Sequence, residues 1–580
     1  MDALSRRLGL LTAALALTAA LTAPPATGAE GSKFRPAVSG PLGVVATESP
    51  AAARVGRAVL ERGGNAVDAA VATVFAVGVA RPQSCGIGGG GFMVYRGANG
   101  RVATLDFRET APAAFRPRTL KDKGLHEDFT GHLTVGVPGT VAGMQAALRR
   151  FGTLALRRAI LPAERLARRG VRVTPALAAA TQENRERLAL FPATRRLFLR
   201  RGKPLKAGAR LRQRGQAATL RRIRRRGPRA FYRGPIARRI VADMRRAKRR
   251  KGDRGIVGLR DFARYRARWR KPVSGTFRGR RVIGMPAPGS GGIAVQQMLN
   301  VLEGYDLRAA GQSSADALHF IIEAEKQAFA DRSEYLGDPG FVKVPSRRLV
   351  SKGYAARRRA LIPPDRAGGY EPGLGRFGKA RAKKTRDEGS TTHISVIDRR
   401  GNAVALTCTI EQEMGSAVVA PGTGFLLNNE LTDFGDPGTA NAARAGKRPR
   451  SSMSPTIVVE GGRPIAVTGG AGGSQIIMGV LFTVLNRVEY GLDLAHAVDA
   501  ERLDAQDLGE EGLILIEAPR IGPDVLAELR RRGHRFDEEE EYADLPRVQA
   551  AGYRSSTGPA TKDAVTDPRS ERGSLAQRRR

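Results

Sequence analysis

The residues best suited to chemistry are two adjacent threonines in the stretch EGSTTHISVIDRRGNAVAL, Thr391 and Thr392. A polar approach ends at Ser390, and alternating apolar residues follow directly. A threonine that becomes N-terminal can act as a nucleophile, with its own α-amine as general base. That amine has an ordinary pKa of about 8, so it can accept the hydroxyl proton near neutral pH. This chemistry needs a cut before Thr391, and we expect it at the Ser390–Thr391 bond.

Other catalytic signatures are missing from the sequence. None of the six histidines lies in an H-E-x-x-H motif and no Cys/His group has zinc spacing, so we expect neither a metal nor another cofactor. No G-x-S-x-G elbow occurs, which disfavours an α/β-hydrolase. The threonine mechanism does not need His393, and we expect Thr392 and His393 to pack within a strand.

The elements that must position the threonines begin with a hairpin. Residues 392–397 and 403–410 have the alternation of strands, and Gly401-Asn402 marks the turn between them. Further on, strand 465–469 runs through GAGGS into an apolar helix. Backbone N–H groups at such a helix start can hold an anion, although the loop lacks the GK[ST] of a Walker A motif.

The N-terminal third alternates helix and strand signals. Ser49 and Asn65 are candidate N-caps, and the helix after Asn65 is apolar nearly all round, which predicts burial. A literal G-x-G-x-x-G follows at Gly86–Gly91, but it precedes a strand, whereas a dinucleotide fingerprint follows one. We expect these glycines to allow close backbone packing or to form a mobile wall. The class is therefore α/β or α+β, with helices against sheets.

The bulk composition suits one large exported protein. The chain has 580 residues, 41% of them hydrophobic, and no linker separates independent blocks. Residues 1–29 have the charged start, apolar core and small-residue end of a signal peptide, for Sec or twin-arginine export. Residues 144–275 are basic and mostly helical in pattern. The polar, irregular stretch 350–389 is the best candidate for an exposed, cleavable linker.

Charge and cysteine content narrow the partners. The formal net charge is +43, with many arginines in residues 219–254. Because these recur at helical spacing with few aromatics between them, we expect a solvated basic face that attracts acidic envelope polymers, and no nucleic-acid binding. Cys85 and Cys408 are the only cysteines. One disulfide is open to them, but the favoured interpretation is two buried small hydrophobic residues.

Several recognisable blocks occur across nearly the whole exported chain: GGNAVDAAVAT, CGIGGGGFM, LDFRETAP, GHLTVGVPGTVAG, ADRSEYLGDP, STTHISVIDRRGNAVALT, GFLLNNELTDF, KRPRSSMSPTIVV and TGGAGGSQI. Together, and in this order, they resemble the γ-glutamyltranspeptidases (glutathione hydrolases) of the N-terminal-nucleophile superfamily. The resemblance implies a four-layer αββα sandwich made of two autoproteolytic subunits. It implies a large subunit at 30–390 and a small subunit at 391–580.

The resemblance also implies catalytic roles. Thr391 would be the nucleophile both for its own cleavage and for catalysis, and Thr409 would orient it. Thr409 and Thr407 share a strand, so we expect one of them only to pack. Gly472 and Gly473 would form the oxyanion hole with their N–H groups.

Substrate-binding roles follow in the same way. Arg108 would pair with the α-carboxylate of the substrate as a charge-assisted fork, and Ser451 and Ser452 would add hydroxyl donors. Glu430 and Asp433 would hold the α-ammonium.

Two departures from the family pattern bear on selectivity. Glu411 stands beside the α-amino site where well-known members have Asn, and its carboxylate would crowd the other acids. Residues 434–450 are short where several members carry a lid, which implies an open cleft.

The implied reaction is cleavage of glutathione or another γ-glutamyl compound through a γ-glutamyl ester on Thr391. The acyl group would pass to water or to an amino acid or peptide. One alternative is an acylase of the same fold that acts on cephalosporin or glutaryl amides. Another is a non-catalytic cationic protein that binds the envelope.

Overall fold

Two antiparallel seven-stranded sheets pack face to face at the centre of the protein. The computed structural model describes residues 33–120, 129–247, 253–376, 390–508, 512–542, 545–571 and 573–578, so the expected signal peptide lies outside the described residues. The first sheet has the spatial order β21 (Leu575–Ala576), β2 (Val44–Thr47), β12 (Thr391–Ile397), β13 (Ala403–Thr409), β3 (Gly90–Arg96), β4 (Val102–Asp106) and β9 (Arg268–Arg270). The second has the order β1 (Val38–Gly40), β20 (Lys562–Thr566), β19 (Arg547–Tyr553), β15 (Arg463–Ala471), β14 (Thr456–Glu460), β11 (Arg280–Gly284) and β10 (Val273–Phe277).

Smaller strands lie outside this sandwich. These strands are β5 (Val171–Arg172), β6 (Leu199–Arg200), β7 (Lys203–Pro204), β8 (Arg210–Leu211), β16 (Leu503–Leu508), β17 (Leu513–Glu517) and β18 (Phe536–Glu539). In a three-stranded sheet, β17 pairs with β16 in antiparallel and with β18 in parallel orientation. Two short ribbons join β5 to β8 and β6 to β7.

Helices cover the outer faces of both sheets. The helices are α1 (Pro50–Glu61), α2 (Ala66–Ala80), α3 (Thr140–Phe151), α4 (Leu156–Arg169), α5 (Pro175–Glu183), α6 (Arg185–Ala189), α7 (Pro192–Phe198), α8 (Arg214–Arg226), α9 (Arg229–Tyr232), α10 (Pro235–Arg246), α11 (Leu259–Arg264), α12 (Gly291–Leu302), α13 (Leu307–Ala310), α14 (Ala315–Tyr335), α15 (Ser346–Leu349), α16 (Lys352–Arg359), α17 (Ile476–Val488), α18 (Leu494–Asp499) and α19 (Pro523–Arg531). Helices α1, α2 and α3 pack on the first sheet, and α12 and α17 pack on the second. The layers are therefore helix, sheet, sheet and helix, as expected.

Strand alternation assigns each face of the first sheet to a different core. On β12, Ile394 and Val396 point toward α2, whereas Ile397 joins the apolar layer between the sheets. Because side chains alternate with a period of two, Thr391, His393 and Ser395 share the inter-sheet face with Ile397. The register of this strand therefore aims Thr391 at the space between the sheets.

The caps and the buried helix predicted near the N-terminus are present. The Ser49 hydroxyl accepts from the N–H of Ala52, and Asn65 with Asp68 forms a capping box. Helix α2 is buried along its whole length, so its apolar circumference contacts protein on all sides. Its N-terminus is also tied to the β12–β13 turn, since Asp398 accepts from the N–H of Ala66 at 3.0 Å.

The glycine run after α2 serves close packing. A Cβ at Gly89 would lie 1.9 Å from the Thr409 carbonyl oxygen, and one at Gly91 would lie 2.1 Å from that of Thr407. Gly91 also has a φ of +155°, which side chains rarely adopt. The run lets β3 lie directly beside β13, and the rejection of a dinucleotide motif agrees with its position between a helix and a strand.

The prediction of an irregular linker at 350–389 is partly wrong. Residues Lys352–Arg359 form α16, whose Tyr354 is buried and donates to Asp331 at 2.5 Å. Residues 377–389, including the approach to the expected cut, lie outside the described part of the chain. Within the described residues, no helix combines the length and apolarity needed to cross a bilayer.

Candidate active site

Thr391 is the first residue of β12 and lies directly opposite Thr409 on β13. The Thr391 hydroxyl donates to the Thr409 hydroxyl at 3.2 Å, and the Thr409 hydroxyl donates to the Ser390 carbonyl oxygen at 3.0 Å. Thr409 also accepts from the N–H of Glu411 at 2.8 Å. One hydroxyl therefore contacts both the expected nucleophile and the carbonyl of the bond expected to be cut.

Ser390 is held from the other side as well. Its hydroxyl donates to the hydroxyl of Ser84 at 3.0 Å, and Ser390 is buried. Ser84 was not predicted, because this contact joins residues 306 positions apart. The carbonyl of Ser84 also accepts from the N–H of Ile410, so the same loop fixes the end of β13.

The other strand residues near Thr391 pack in the interior. His393 is buried between the hydroxyls of Thr407 and Ser395, at 2.8 and 3.1 Å. Burial lowers the pKa of His393 to about 3, so the ring is neutral near pH 7. A Cβ at Gly469 would lie 2.3 Å from this ring, so the glycine lets β15 approach β12. Thr407 thus supports the histidine, whereas Thr409 contacts Thr391, the expected nucleophile.

The glycine loop joins β15 to α17 beside Thr391. Gly472 and Gly473 have φ angles of +124° and +57°, which leave the strand and begin a turn of 3-10 helix at Gly473–Gln475. Gly473 lines the same cavity as Thr391, whereas a Cβ at Gly472 would lie 3.1 Å from Pro546. The predicted strand, loop and helix are present, and of the two glycines Gly473 is the one at the cavity.

Arg108 is the centre of a charged cluster on the cavity wall. The residue is buried, and its guanidinium contacts the carboxylates of Glu430 and Asp433 and lies 4.0 Å from Glu109. Burial alone would lower the pKa of Arg108, but the charges of Glu430 and Asp433 hold it above its ordinary value. The carbonyl of Arg450 also accepts from Arg108 at 3.1 Å. The arginine is thus held charged and oriented.

Burial raises the pKa of two carboxyl groups in this cluster. Burial raises the pKa of Glu109 to about 7, although Arg108 opposes the shift. Burial also raises the pKa of Glu430 well above its ordinary range, again against the effect of Arg108. Carboxyl groups this close to one another resist losing every proton. Three carboxyl groups therefore surround one arginine, and those with a raised pKa can give up a proton beside an incoming ammonium. Glu109 was not predicted, although it adjoins Arg108 in the quoted block LDFRETAP.

Ser451 and Ser452 also line the cavity, and Arg332 holds this segment in place. The Arg332 guanidinium donates to the Ser452 hydroxyl at 2.6 Å and to the Ser290 hydroxyl at 2.9 Å. Ser290 in turn donates to the carbonyl of Ser451. Arg332 was missed as a functional residue, although it lies in the quoted block ADRSEYLGDP.

Glu411 lies at the cavity in an unusual backbone conformation. Its φ is +77°, in the left-handed region that L-residues other than Asn and Asp seldom adopt. The residue is buried, and it lies beside the acidic cluster, where its charge raises the pKa of Glu430. The N–H of Glu411 donates to the Thr409 hydroxyl, which also contacts Thr391, so this conformation is linked to the expected nucleophile.

One small cavity of about 20 Å³ brings most of the predicted site together. Its lining consists of Arg108, Thr391, Thr409, Glu411, Glu430, Asp433, Ser451, Ser452, Met453, Gly473 and Ile476. Gly472 and Ser390 are the predicted residues outside that lining. Met453 and Ile476 were not predicted, because apolar lining residues carry no chemical signature in a sequence.

The two cysteines form a disulfide, so the favoured interpretation of two separate hydrophobic residues is wrong. Cys85 follows α2 and Cys408 precedes Thr409 on β13, with their Cα atoms 5.6 Å apart. The two residues are 323 positions apart in the chain. Sequence spacing could not predict this pairing, because the two thiols meet only through the alignment of the glycine run with β13.

A group of metal-ligand residue types lies away from the cavity. His319, Glu323 and His534 have ligand atoms within 4.8 Å of one another, and all three residues are buried. Each is already bonded: His319 and His534 contact each other at 2.8 Å, and Glu323 accepts from Lys326 and from the N–H of Gly368. None of the three lines the cavity.

Matches to known proteins span nearly the whole chain. A family model described as gamma-glutamyltranspeptidase matches residues 52–577. Over 545 residues the chain is 42% identical to the glutathione hydrolase proenzyme of Escherichia coli (strain K12), covering 89% of this chain and 90% of that protein. Over 511 residues it is 38% identical to the acylase ACY 1 proenzyme of Pseudomonas sp. (strain V22), covering 86% and 88%. The crystal structure of cephalosporin acylase from Bacillus halodurans has a TM-score of 0.85 at 29% identity, covering 96% of this chain and 99% of that one.

Proposed function

The chain belongs to the gamma-glutamyltranspeptidase family, and on that premise we propose that it is an exported γ-glutamyl hydrolase and transferase with Thr391 as nucleophile. One observation carries the proposal: the Thr391 hydroxyl and the charged cluster around Arg108 line the same cavity. A γ-glutamyl group has a carbonyl at one end and an α-carboxylate with an α-ammonium at the other. A nucleophile that shares a cavity with paired charges suits that group better than a neutral acyl chain.

Maturation starts at the Ser390 carbonyl carbon. The Thr391 hydroxyl oxygen adds to this carbon, the peptide C–N bond breaks, and the hydroxyl proton passes to the departing nitrogen. Water then hydrolyses the resulting ester, which leaves a carboxylate on Ser390 and a free α-amine on Thr391. The Thr409 hydroxyl already donates to the Ser390 carbonyl oxygen at 3.0 Å, so it stabilises the charge that develops there. The products are subunits 30–390 and 391–580.

Substrate binding separates charges that now pair with each other. In the described structure Arg108 contacts Glu430 and Asp433 directly. The substrate α-carboxylate takes the guanidinium, with Ser451 and Ser452 as further donors, while the α-ammonium takes the carboxylates that Arg108 releases. Each buried charge thereby keeps a partner, which avoids the cost of an unpaired charge.

Turnover repeats the first attack on the γ-carbonyl carbon of the donor. The freed α-amine of Thr391 accepts the hydroxyl proton, and a γ-glutamyl ester forms as the donor's amine leaves with a proton. N–H groups of the loop at Gly472 and Gly473 stabilise the oxyanion. Water, an amino acid or a peptide then takes the acyl group.

N-terminal sequencing and a chromogenic assay test this proposal together. The smaller band of purified protein should begin at Thr391, and the protein should release the amine from a γ-glutamyl anilide. Thr391→Ala should remain one chain and release none. Asp433→Asn should mature normally but lose at least about 100-fold in kcat/KM, since it leaves a buried arginine and the substrate ammonium short of a charge. Unchanged turnover in Asp433→Asn would contradict the substrate assignment.

An acylase is the second candidate, because relatives named as acylases share the fold and much of the sequence. A glutaryl group differs from a γ-glutamyl group by lacking the α-ammonium. Glutaryl and γ-glutamyl anilides therefore form a matched pair of substrates. The acidic cluster predicts preference for the γ-glutamyl compound by about 100-fold or more, whereas equal or reversed preference would support the acylase.

Export and the basic surface complete the proposal. We infer that residues 1–29 are a signal peptide removed on export, through Sec or the twin-arginine route. The full chain has a net charge of +43, so the secreted protein is strongly cationic and attracts acidic envelope polymers, and salt weakens that attraction. Retention on an anionic resin at rising salt, compared with retention on cell envelopes, tests this.

A further inference from the structure

A second cavity, much larger than the catalytic one, lies between α3, α9, α11 and β9. Its volume is about 650 Å³, within the usual range of small-molecule sites. We call it the arginine cleft and define it by Arg149, Arg150, Arg229, Arg233, Arg266 and Trp269. It shares no lining residue with the cavity at Thr391.

The charge of the arginine cleft is uncompensated. Its five arginines are exposed, and its lining, as far as the chain is described, contains neither aspartate nor glutamate. Among the described residues, none of the five forms an ion pair. By contrast, Arg221 and Arg224 on nearby α8 both contact the carboxylate of Glu164, at 3.0 and 2.6 Å. Five guanidiniums around one concave surface repel each other, so an anion bound there gains from all of them.

The floor of the cleft is aromatic. Tyr232 and Tyr265 stack with ring centroids 5.6 Å apart and an interplanar angle of 7°. Their hydroxyls already donate to the carbonyls of Pro138 and Arg108, so toward the cleft they offer ring surface only. The Arg150 guanidinium lies 4.4 Å from the ring centroid of Trp269. Alanines and Pro228 supply the rest of an apolar lining.

We propose that the arginine cleft binds a small organic anion that carries two or more negative charges on an aromatic body. Guanidinium groups bind phosphate and carboxylate oxygens through two parallel hydrogen bonds, and they also stack on aromatic rings. The aromatic floor favours a flat apolar group over a purely inorganic anion. The site is spatially separate from the catalytic cavity, since the two share no lining residue among those described, and the Tyr265 bond to the Arg108 carbonyl is a contact between them.

The protein carries its own reporter for this site, because Trp269 is the single tryptophan of the chain. We would titrate the full matured protein at constant ionic strength with three probes and follow tryptophan emission. ATP has both a ring and several charges, tripolyphosphate has the charges alone, and adenosine has the ring alone. A saturable emission change with ATP, at least tenfold tighter than with tripolyphosphate and absent with adenosine, supports the proposal.

Matched double variants distinguish specific binding in the cleft from general electrostatic attraction to the basic surface. Arg149→Gln with Arg229→Gln removes two charges from the cleft, and neither side chain forms a hydrogen bond or an ion pair with the described residues. Arg168→Gln with Arg169→Gln removes two exposed charges from the last turn of α4, outside the cleft. The cleft variant should weaken ATP binding at least tenfold and the control variant less than twofold. Equal weakening in both, equal affinity for ATP and tripolyphosphate, or no emission change would overturn the proposal.

Discussion

Removing the Cys85–Cys408 disulfide should change how the matured protein comes apart. Cys85 lies in the expected large subunit and Cys408 in the expected small one, so the bond crosses the cut at Ser390–Thr391. After the cut it is the covalent link between the two chains that the structure describes. The perturbation is the double variant Cys85→Ala with Cys408→Ala, which leaves small apolar groups in a buried apolar cluster.

The stability that the disulfide contributes has two sources: chain entropy before the expected cut and mass action after it. In the uncut chain the bond closes a loop between residues 323 positions apart, and the chain-entropy relation then assigns about 6 kcal/mol to it. After the cut, an unfolded protein without the bond is two separate chains. Its stability then falls by about 1.4 kcal/mol for each tenfold dilution, as for any dissociation. With the bond intact, unfolding stays within one covalent molecule and does not depend on concentration.

Two assays check this. On a gel without reductant, the matured wild type should run as one band with the mass of the uncut chain, and reductant should split it into two. Urea unfolding at concentrations about 100-fold apart should give one midpoint for the wild type and two different midpoints for the double variant. Thr391→Ala with both cysteines replaced is the control, because it stays uncut and should again be independent of concentration.

The reasoning fails if matured wild-type protein separates into two bands without reductant, while its small band begins at Thr391. It also fails if the wild-type midpoint shifts with dilution. A protein that remains one band even with reductant would instead contradict the cut, so the two hypotheses are tested separately.

Three further predictions concern the site. Thr409→Val should slow both self-cleavage and turnover by about 100-fold, because it removes the hydroxyl that donates to the Ser390 carbonyl. Thr407→Val, on the same face of the strand, should slow neither reaction; gel time courses measure self-cleavage and the anilide assay measures turnover. Burial raises the pKa of Glu109 to about 7, so the stability that its proton contributes is fully present below about pH 4 and is lost as pH rises through 7. Glu109→Gln should abolish this loss, which amounts to roughly 3 kcal/mol in the free energy of unfolding and is measured by urea unfolding at low and high pH. Glu411→Asn should raise the free energy of unfolding by about 1 kcal/mol, because Asn tolerates the left-handed backbone at φ +77°, and a lower urea midpoint in this variant would contradict the strain argument.

Local pattern predicted the hairpin and the loop that flank the nucleophile. The alternation of residues 392–397 and 403–410 and the turn at Gly401-Asn402 agree with β12 and β13 within a residue at each end. Strand, glycine loop and helix after residue 465 are also present. These features depend on neighbours within a few positions, where side-chain period and glycine conformations act directly.

The helix at Lys352–Arg359 shows where local pattern fails. Its sequence is arginine-rich and weakly patterned, so the segment was expected to be irregular. Tertiary contacts decide it, because Tyr354 is buried and bonded to Asp331 on α14. Weak local preference gives way when one anchored side chain and its packing outweigh it.

The sequence by itself determined that Thr391 begins a strand after a polar segment and that the family blocks occur in order along the chain. Only the tertiary structure decided that Cys85 bonds to Cys408, that Ser84 holds Ser390, and that Arg108 sits among carboxylates. Each of these contacts joins residues hundreds of positions apart. Their meeting depends on sheet register and glycine-mediated strand approach, which are collective properties of the fold that no short stretch of sequence contains.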